Sequence, residues 1–187
     1  IRLAEKRGVI VEESKDMKSF YSLMKETSLR DGFTVKPQSH YEKFLTDLPG
    51  GFLLLAYGPT GACVSRRINS PANDPVAGLM GVMWGMRGYY YYGASSYEHR
   101  ALMAPYILQW QAMKLCRERG CREYDLLGIA PPSHMSIAKS HKLHPWAGVT
   151  RFKLQFGGRI EEYPEEKVVM LRPFLFHALA WKRVIVG

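Results

Sequence analysis

No apolar run in this 187-residue chain approaches the roughly 20 residues that cross a bilayer, so no segment reads as a membrane span. The opening residues, IRLAEKRGV, carry charge where a signal peptide needs an apolar core, and a cytoplasmic location is expected. There is no initiating Met either, which suggests a fragment with an upstream portion missing. Cysteine is scarce: Cys63, Cys116 and Cys121 make an odd count without an export signal, so buried thiols are expected rather than a disulfide framework. No histidine lies close in sequence to Cys116 and Cys121, which argues against a zinc site. Long basic tracts, internal repeats and low-complexity segments are also missing, as are GxSxG, HExxH and P-loop motifs.

What is present has globular proportions, with 47% hydrophobic and 23% charged residues in a length that suits one domain. The formal net charge of +9 favours an anionic partner such as nucleic acid, a nucleotide-linked substrate or an anionic membrane surface. Its carriers are scattered (Arg66-Arg67, Arg117, Arg119, Lys139, Lys142, Lys182-Arg183), so a solvated basic surface explains them equally well.

Along the chain, Ser14 reads as an N-cap followed by Met17, Phe20, Tyr21 and Met24 at helical spacing up to Asp31-Gly32. Ser39 with Glu42 gives a capping-box pattern for a second, shorter helix that Pro49-Gly50 stops. GFLLLAY, residues 51–57, reads as a buried strand, and residues 58–74 as a long connection with a short strand near Cys63. Strands are expected over 76–84 and 88–92, the tyrosines 89–92 alternating between two faces. Pro105 starts a helix to about Arg119 whose apolar residues nearly encircle it, as in a buried helix, and a strand follows over 122–127. Further strands are expected near 159–163 and 167–171, then a terminal helix from Phe174 to about Val184. The sum is an α/β domain with a mixed sheet flanked by helices.

One residue breaks the pattern. Stepping about 100° per residue, Trp146, Val149, Phe152 and Phe156 share a helix face, and Lys153 falls inside that arc while Arg151 and Gln155 point away. Either the lysine stem lies on the core with its ammonium in water, or a fixed positive charge stands at the mouth of a site, ready for an oxyanion.

Ser95 and Ser96 with His99 could form a nucleophile and base, but the sequence shows no positioned acid, so loop chemistry is expected. His134, His141 and His144 share one loop; surface histidines are expected there, and no metal. The order strand, turn, buried helix, strand resembles the core of acetyltransferase-like (GNAT) folds, in which backbone amides hold a coenzyme A pyrophosphate. Here the turn, GASSYEHRALMAP, has a single glycine, Gly93, so coenzyme A is disfavoured and no cofactor is expected.

Four segments carry a closer resemblance: LMKETSLRDGF (23–33), YYGASS (91–96), PYILQWQAMKLCRERGCREYDLLGI (105–129) and HPWAGVTRFKLQFGGRIEEY (144–163). In family order, they resemble the second domain of the Fem family of peptidoglycan-bridge aminoacyltransferases. The resemblance implies an enzyme of twin acetyltransferase-like folds that moves an amino acid from aminoacyl-tRNA to the stem peptide of a UDP- or lipid-linked muropeptide precursor. It implies that residues 1–171 are the second such domain, and that 172–187 form a helix packing on a missing first domain, or mediating self-association in its absence. The family's RFK…FGG motif falls on Arg151, Phe152 and Lys153, with Phe152 and Lys153 implied at the aminoacyl ester and Arg151 in substrate binding. An arginine that binds the precursor's phosphates is implied at Arg30. The alternatives are a coenzyme A-dependent N-acyltransferase on the same fold and a non-catalytic binding module.

Overall fold

The apolar run at 51–57 forms strand β2 (Gly51–Tyr57), and its alternation sets the two cores of the molecule. Phe52, Leu54 and Ala56 point to one face of the sheet, Leu53 and Leu55 to the other, and all five are buried. A strand covered on both sides reads as a continuous hydrophobic run, as this one does. The computed structural model describes residues 1–59, 74–131, 144–164 and 169. These fall into two compact units, Ile1–Ala147 and Gly148–Gly187. The boundary expected at 171/172 lies outside the described residues, as do the strand near Cys63, most of the strand at 167–171 and the terminal helix from Phe174.

In the first unit the described elements run α1 (Arg2–Lys6), β1 (Ile10–Glu13), α2 (Met17–Asp31), α3 (Gln38–Asp47), β2, β3 (Ala77–Trp84), β4 (Arg87–Ser95), a 3-10 turn (Arg100–Leu102), α4 (Ala104–Glu118) and β5 (Glu123–Asp125). The five strands lie in sequence order, β1 to β4 antiparallel and β5 parallel to β4, so the expected mixed sheet is present. Helices α2 and α3 cover one face through Phe20, Leu23, Met24, Tyr41 and Phe44. Helix α4 covers the other through Ile107, Leu108, Ala112 and Cys116.

Several local expectations need correction. Asp16, not Ser14, caps α2: its carboxylate accepts the Ser19 amide at 3.1 Å, while the Ser14 hydroxyl accepts the Asp16 amide. The hydroxyl and amide of Ser19 hold the Asp16 carboxyl below the usual range. The Ser39–Glu42 capping box does not form, because α3 already starts at Gln38 behind Pro37, and Glu42 accepts from the Gln38 amide side chain instead. The strand expected over 122–127 is only Glu123–Asp125, and residues 159–163 form no strand; Arg159 there pairs with Glu161. Helix α1 and strand β1 were not expected, being short and, in β1, largely exposed.

Helix α4 is buried along one face and not all round, since Trp110 is 39% exposed. Its buried face includes Gln109, whose side-chain oxygen accepts from the Tyr124 hydroxyl at 3.0 Å. A polar residue can sit in the core when its hydrogen bond goes with it.

The tyrosine run departs from simple alternation. Met80 pairs with Tyr92 and Gly81 with Tyr90, which leaves Tyr91 as the extra residue of a β-bulge. The bulge moves Tyr92 onto the α2/α3 side with Tyr89, while Tyr90 faces the α4 side and Tyr91 is exposed. Tyr92 then packs edge-on against Tyr41, ring centres 5.0 Å apart, and its hydroxyl meets His40 Nε2 at 3.0 Å.

Candidate functional site

Helix α2 ends where Gly32 takes a left-handed conformation (φ 73°) and donates its amide to the Ser28 carbonyl. Its last turn and a half grips the end of β4. Buried Thr27 exchanges two hydrogen bonds with Ser95, giving its hydroxyl proton to the Ser95 carbonyl and accepting the Ser95 amide. Three residues further on, Arg30 Nη1 donates to the same carbonyl at 2.9 Å. Its Nε and Nη2 bind the two oxygens of Asp31 at 2.7 and 2.9 Å. A guanidinium carries five N–H groups, so among the described residues Arg30 keeps one on each terminal nitrogen. Hydrogen bonding to Asp31 above all, then the charges of Asp31 and Glu26, raise its pKa against partial burial. Arg30 is thus a fixed cation with a donor left on each terminal nitrogen, chemistry suited to phosphoryl or carboxylate oxygens.

Glu26 settles the role of the Ser96–His99 pair. One oxygen of its carboxylate accepts both the Ser96 hydroxyl and the Tyr97 amide, each at 3.0 Å. The Ser96 proton is therefore committed to Glu26, and His99 Nδ1, 3.3 Å from Ser96 Oγ, faces it as a donor. A histidine that donates to a serine cannot take that serine's proton, so the pair is structural and anchors the turn after β4, as expected for loop chemistry. Beyond it, Arg100 donates to the Tyr97 carbonyl at 3.0 Å and stacks over the Tyr97 ring with its guanidinium carbon 4.1 Å from the centre. Glu26 was not anticipated as part of this site; it lies 70 residues from Ser96 and nothing in its own segment marks it.

The same turn bears on the pyrophosphate question. The amides of Arg100, Leu102 and Met103 are bonded to carbonyls within the turn, and the Tyr106 amide to Met103. Pro105 has no N–H. Few backbone donors remain at the start of α4 to cradle a phosphate.

In the second unit, α5 (Ala147–Leu154) carries the remaining candidates. Burial centres on Thr150 and Lys153, not on the expected face: Trp146 and Val149 are exposed, while Phe152 and Phe156 are partly buried with their rings in an edge contact at 5.2 Å. The 100° stepping failed because Trp146 precedes the helix and Phe156 follows it, leaving only Val149 and Phe152 of that arc inside. Lys153 itself is 9% exposed. Arg151 is exposed. Arg30 therefore belongs to the first unit, and Arg151, Phe152 and Lys153 to the second. Of the loop histidines, His134 and His141 lie outside the described residues, and His144 accepts the Trp146 amide on Nδ1.

Among known proteins, the model of the FemAB family matches residues 61–181. The lipid II:glycine glycyltransferase of Staphylococcus saprophyticus is 25% identical, the alignment covering 68% of this chain and 44% of the relative. That of Staphylococcus aureus gives the same figures. The chain thus spans less than half the length of the curated relatives it matches. Among solved structures, FemX superposes with a TM-score of 0.66 at 24% identity, over 81% of this chain and 50% of FemX. An aminoglycoside acetyltransferase from an uncultured soil metagenomic sample superposes with a TM-score of 0.56 at 14% identity, over 88% of this chain and 97% of its own. The latter shares the fold alone, and it establishes the acetyltransferase-like architecture that the strand and helix order implied. With the family model matching well over half the sequence, the chain belongs to the FemAB family.

Proposed function

We propose that this chain is one acetyltransferase-like domain of an enzyme that transfers an amino acid from aminoacyl-tRNA to the stem peptide of a peptidoglycan precursor. Membership of the FemAB family and relatives named lipid II:glycine glycyltransferases support the reaction class. The observation that carries the reading is Lys153, a buried cation on a short helix beside Phe152.

The chemistry needs little beyond such a charge. An amine of the stem peptide attacks the ester carbonyl of the aminoacyl-tRNA and forms a C–N bond. The carbonyl oxygen becomes an oxyanion, and collapse expels the ribose oxygen, which leaves with the amine's proton. No covalent enzyme intermediate is required, so alignment and oxyanion stabilisation are the enzyme's contributions. In this reading Lys153 supplies the charge, Phe152 shapes the ester's surroundings, Arg151 helps hold substrate, and the two spare donors of Arg30 bind the precursor's diphosphate.

The test is Lys153→Met in the intact enzyme, which keeps most of the stem's volume. Single-turnover transfer should fall by roughly two to three orders of magnitude, the usual cost of one lost oxyanion stabiliser, with little change in melting temperature. Near-normal transfer would remove Lys153 from the chemistry. A coenzyme A-dependent reaction is the weaker reading, because few backbone donors remain at the start of α4; a rise in melting temperature with acetyl-coenzyme A would favour it.

A further inference from the structure

We propose that Asp125 accepts the proton of the attacking amine, at the fork where β4 and β5 part. The inference rests on the aminoacyl-transfer reading, in which Lys153 meets the oxyanion and the nitrogen's proton still needs a carrier. Strand β5 pairs with β4 only from Arg87↔Glu123 to Tyr89↔Asp125. Strand β4 runs on to Ser95, so from Tyr90 onward that edge has no paired strand among the described residues. An open strand edge is a place where an extended peptide can lie along the sheet. Gly93 on this stretch presents no side chain to it, and Tyr91, the bulged residue, is 51% exposed with its ring centre 5.1 Å from that of Phe44. At about 3.3 Å per residue the stretch from Tyr89 to Ser95 covers roughly 20 Å, and the Ser95 carbonyl holds Arg30. A precursor's diphosphate and its stem-peptide amine are separated by a sugar and several peptide residues, which span a distance of that order when extended.

Asp125 is the last residue of β5 and follows Tyr124, which packs on the α4 side of the sheet. By alternation it shares the other face with its partner Tyr89. Its side chain is partly buried and fixed at one end: Oδ1 accepts the Leu127 amide at 2.7 Å, while Oδ2 takes no hydrogen bond from the described residues. That bond closes a turn on Leu127, which has a positive φ of 58° without being glycine. Leu127 is 38% exposed, so burial does not force the conformation; strain of this kind is kept where it aims a functional group. The other partly buried carboxylates described are Glu26 and Asp74. Glu26 already accepts two hydrogen bonds and lies by the Arg30 charge, which opposes proton uptake, and Asp74 is engaged. As the C–N bond forms, the amine nitrogen becomes cationic. A carboxylate beside it stabilises that charge and accepts the proton, then gives it to the ribose oxygen as the C–O bond breaks, and ends as it began.

The experiment sets two substitutions against each other in the intact enzyme, with kcat and KM for the acceptor measured on both and melting temperatures beside them. Asp125→Asn keeps an acceptor for the Leu127 amide and removes the charge; Asp125→Glu keeps the charge and loses the turn. In Asp125→Asn kcat should fall about 100-fold or more, the usual contribution of a positioned base, with little change in KM and a melting temperature like the parent's. Asp125→Glu should melt lower yet transfer faster than Asp125→Asn. Near-normal kcat in Asp125→Asn, a loss confined to KM, or Asp125→Glu as the slower of the two would each overturn the assignment, the last in favour of the turn itself. Transfer that falls in Lys153→Met and not in Asp125→Asn overturns the inference and leaves the transfer reading standing. A parent enzyme that makes no product from aminoacyl-tRNA removes both.

Discussion

Thr27 and Ser95 are 68 residues apart in sequence and joined by two hydrogen bonds, Thr27 Oγ1 to the Ser95 carbonyl at 3.3 Å and the Ser95 amide to Thr27 Oγ1 at 3.0 Å. One hydroxyl thus serves both backbone groups at the end of β4, as a neighbouring strand would. The bridge fixes the carbonyl that also orients Arg30.

Thr27→Val keeps the shape and removes both bonds. Leaving the Ser95 amide unmatched, with only Arg30 still on the carbonyl, should cost about 1–3 kcal/mol, read as a lower urea midpoint with an unchanged slope. Thr27→Ser should restore most of it. Equal stability of the valine and threonine forms would mean that packing alone holds this end of the strand.

Gly81 is the residue opposite the bulge, and a methyl group there would stand 2.7 Å from the Tyr89 carbonyl, a backbone atom that cannot turn aside. Gly81→Ala should therefore destabilise the first unit by about 1–3 kcal/mol, as overpacking does. Thermal unfolding followed by circular dichroism would show it. Because the bulge decides which face Tyr92 takes, the variant should also disturb the Tyr92–Tyr41 contact, visible in the near-ultraviolet spectrum.

Burial pushes the Tyr90 hydroxyl up to about 12 and the Cys116 thiol up to about 12, from ordinary values of 10.0 and 9.0. Both groups are neutral acids that the fold keeps protonated. Their contribution is fully present below pH 9, where folded and unfolded forms hold the same protons. As pH rises from 9 to 12 the unfolded chain releases protons that the native one retains, and stability falls. Urea midpoints at pH 8, 10 and 11 should decline in that order, and Cys116→Ala should flatten the part of the decline nearest pH 9. A flat profile would contradict the buried, protonated state of both side chains.

Any binding of tRNA should be carried by phosphate contacts and should weaken steeply as salt rises, since the net charge is +9 without a concentrated basic tract. Filter binding at two ionic strengths measures it. Affinity that ignores salt, or none at low salt, would leave the positive charge as ordinary surface chemistry.

How far the sequence carries depends on whether the signal is local. GFLLLAY, Asp31-Gly32 and the Pro105 start of α4 are legible because a strand buried on both faces, a left-handed helix end and a proline at a first turn each leave a mark within a few residues. Arg30 and Lys153 were reached through resemblance and through a charge out of place, and the structure gives each a definite setting. What stayed hidden is what depends on distant partners. Glu26 binds Ser96 because α2 crosses the end of β4, and Ser14 lost the cap because Asp16, two residues on, reaches the Ser19 amide better. The bulge at Tyr91 is a property of two paired strands, and no periodicity within one strand announces it.

Cys116 and Cys121 are buried, reduced and close to one another, with the Cys116 thiol held protonated. A thiolate, not a thiol, attacks alkylating reagents, so the folded chain shields Cys116 twice, by access and by proton. Alkylation of that cysteine, followed by mass spectrometry of its peptide, becomes a clock for the opening of α4 from the sheet. The chain thus carries its own reporter of local unfolding, with no label to be engineered, and where reclosing outpaces alkylation the ratio of its rate to that of the unfolded chain gives the free energy of that opening.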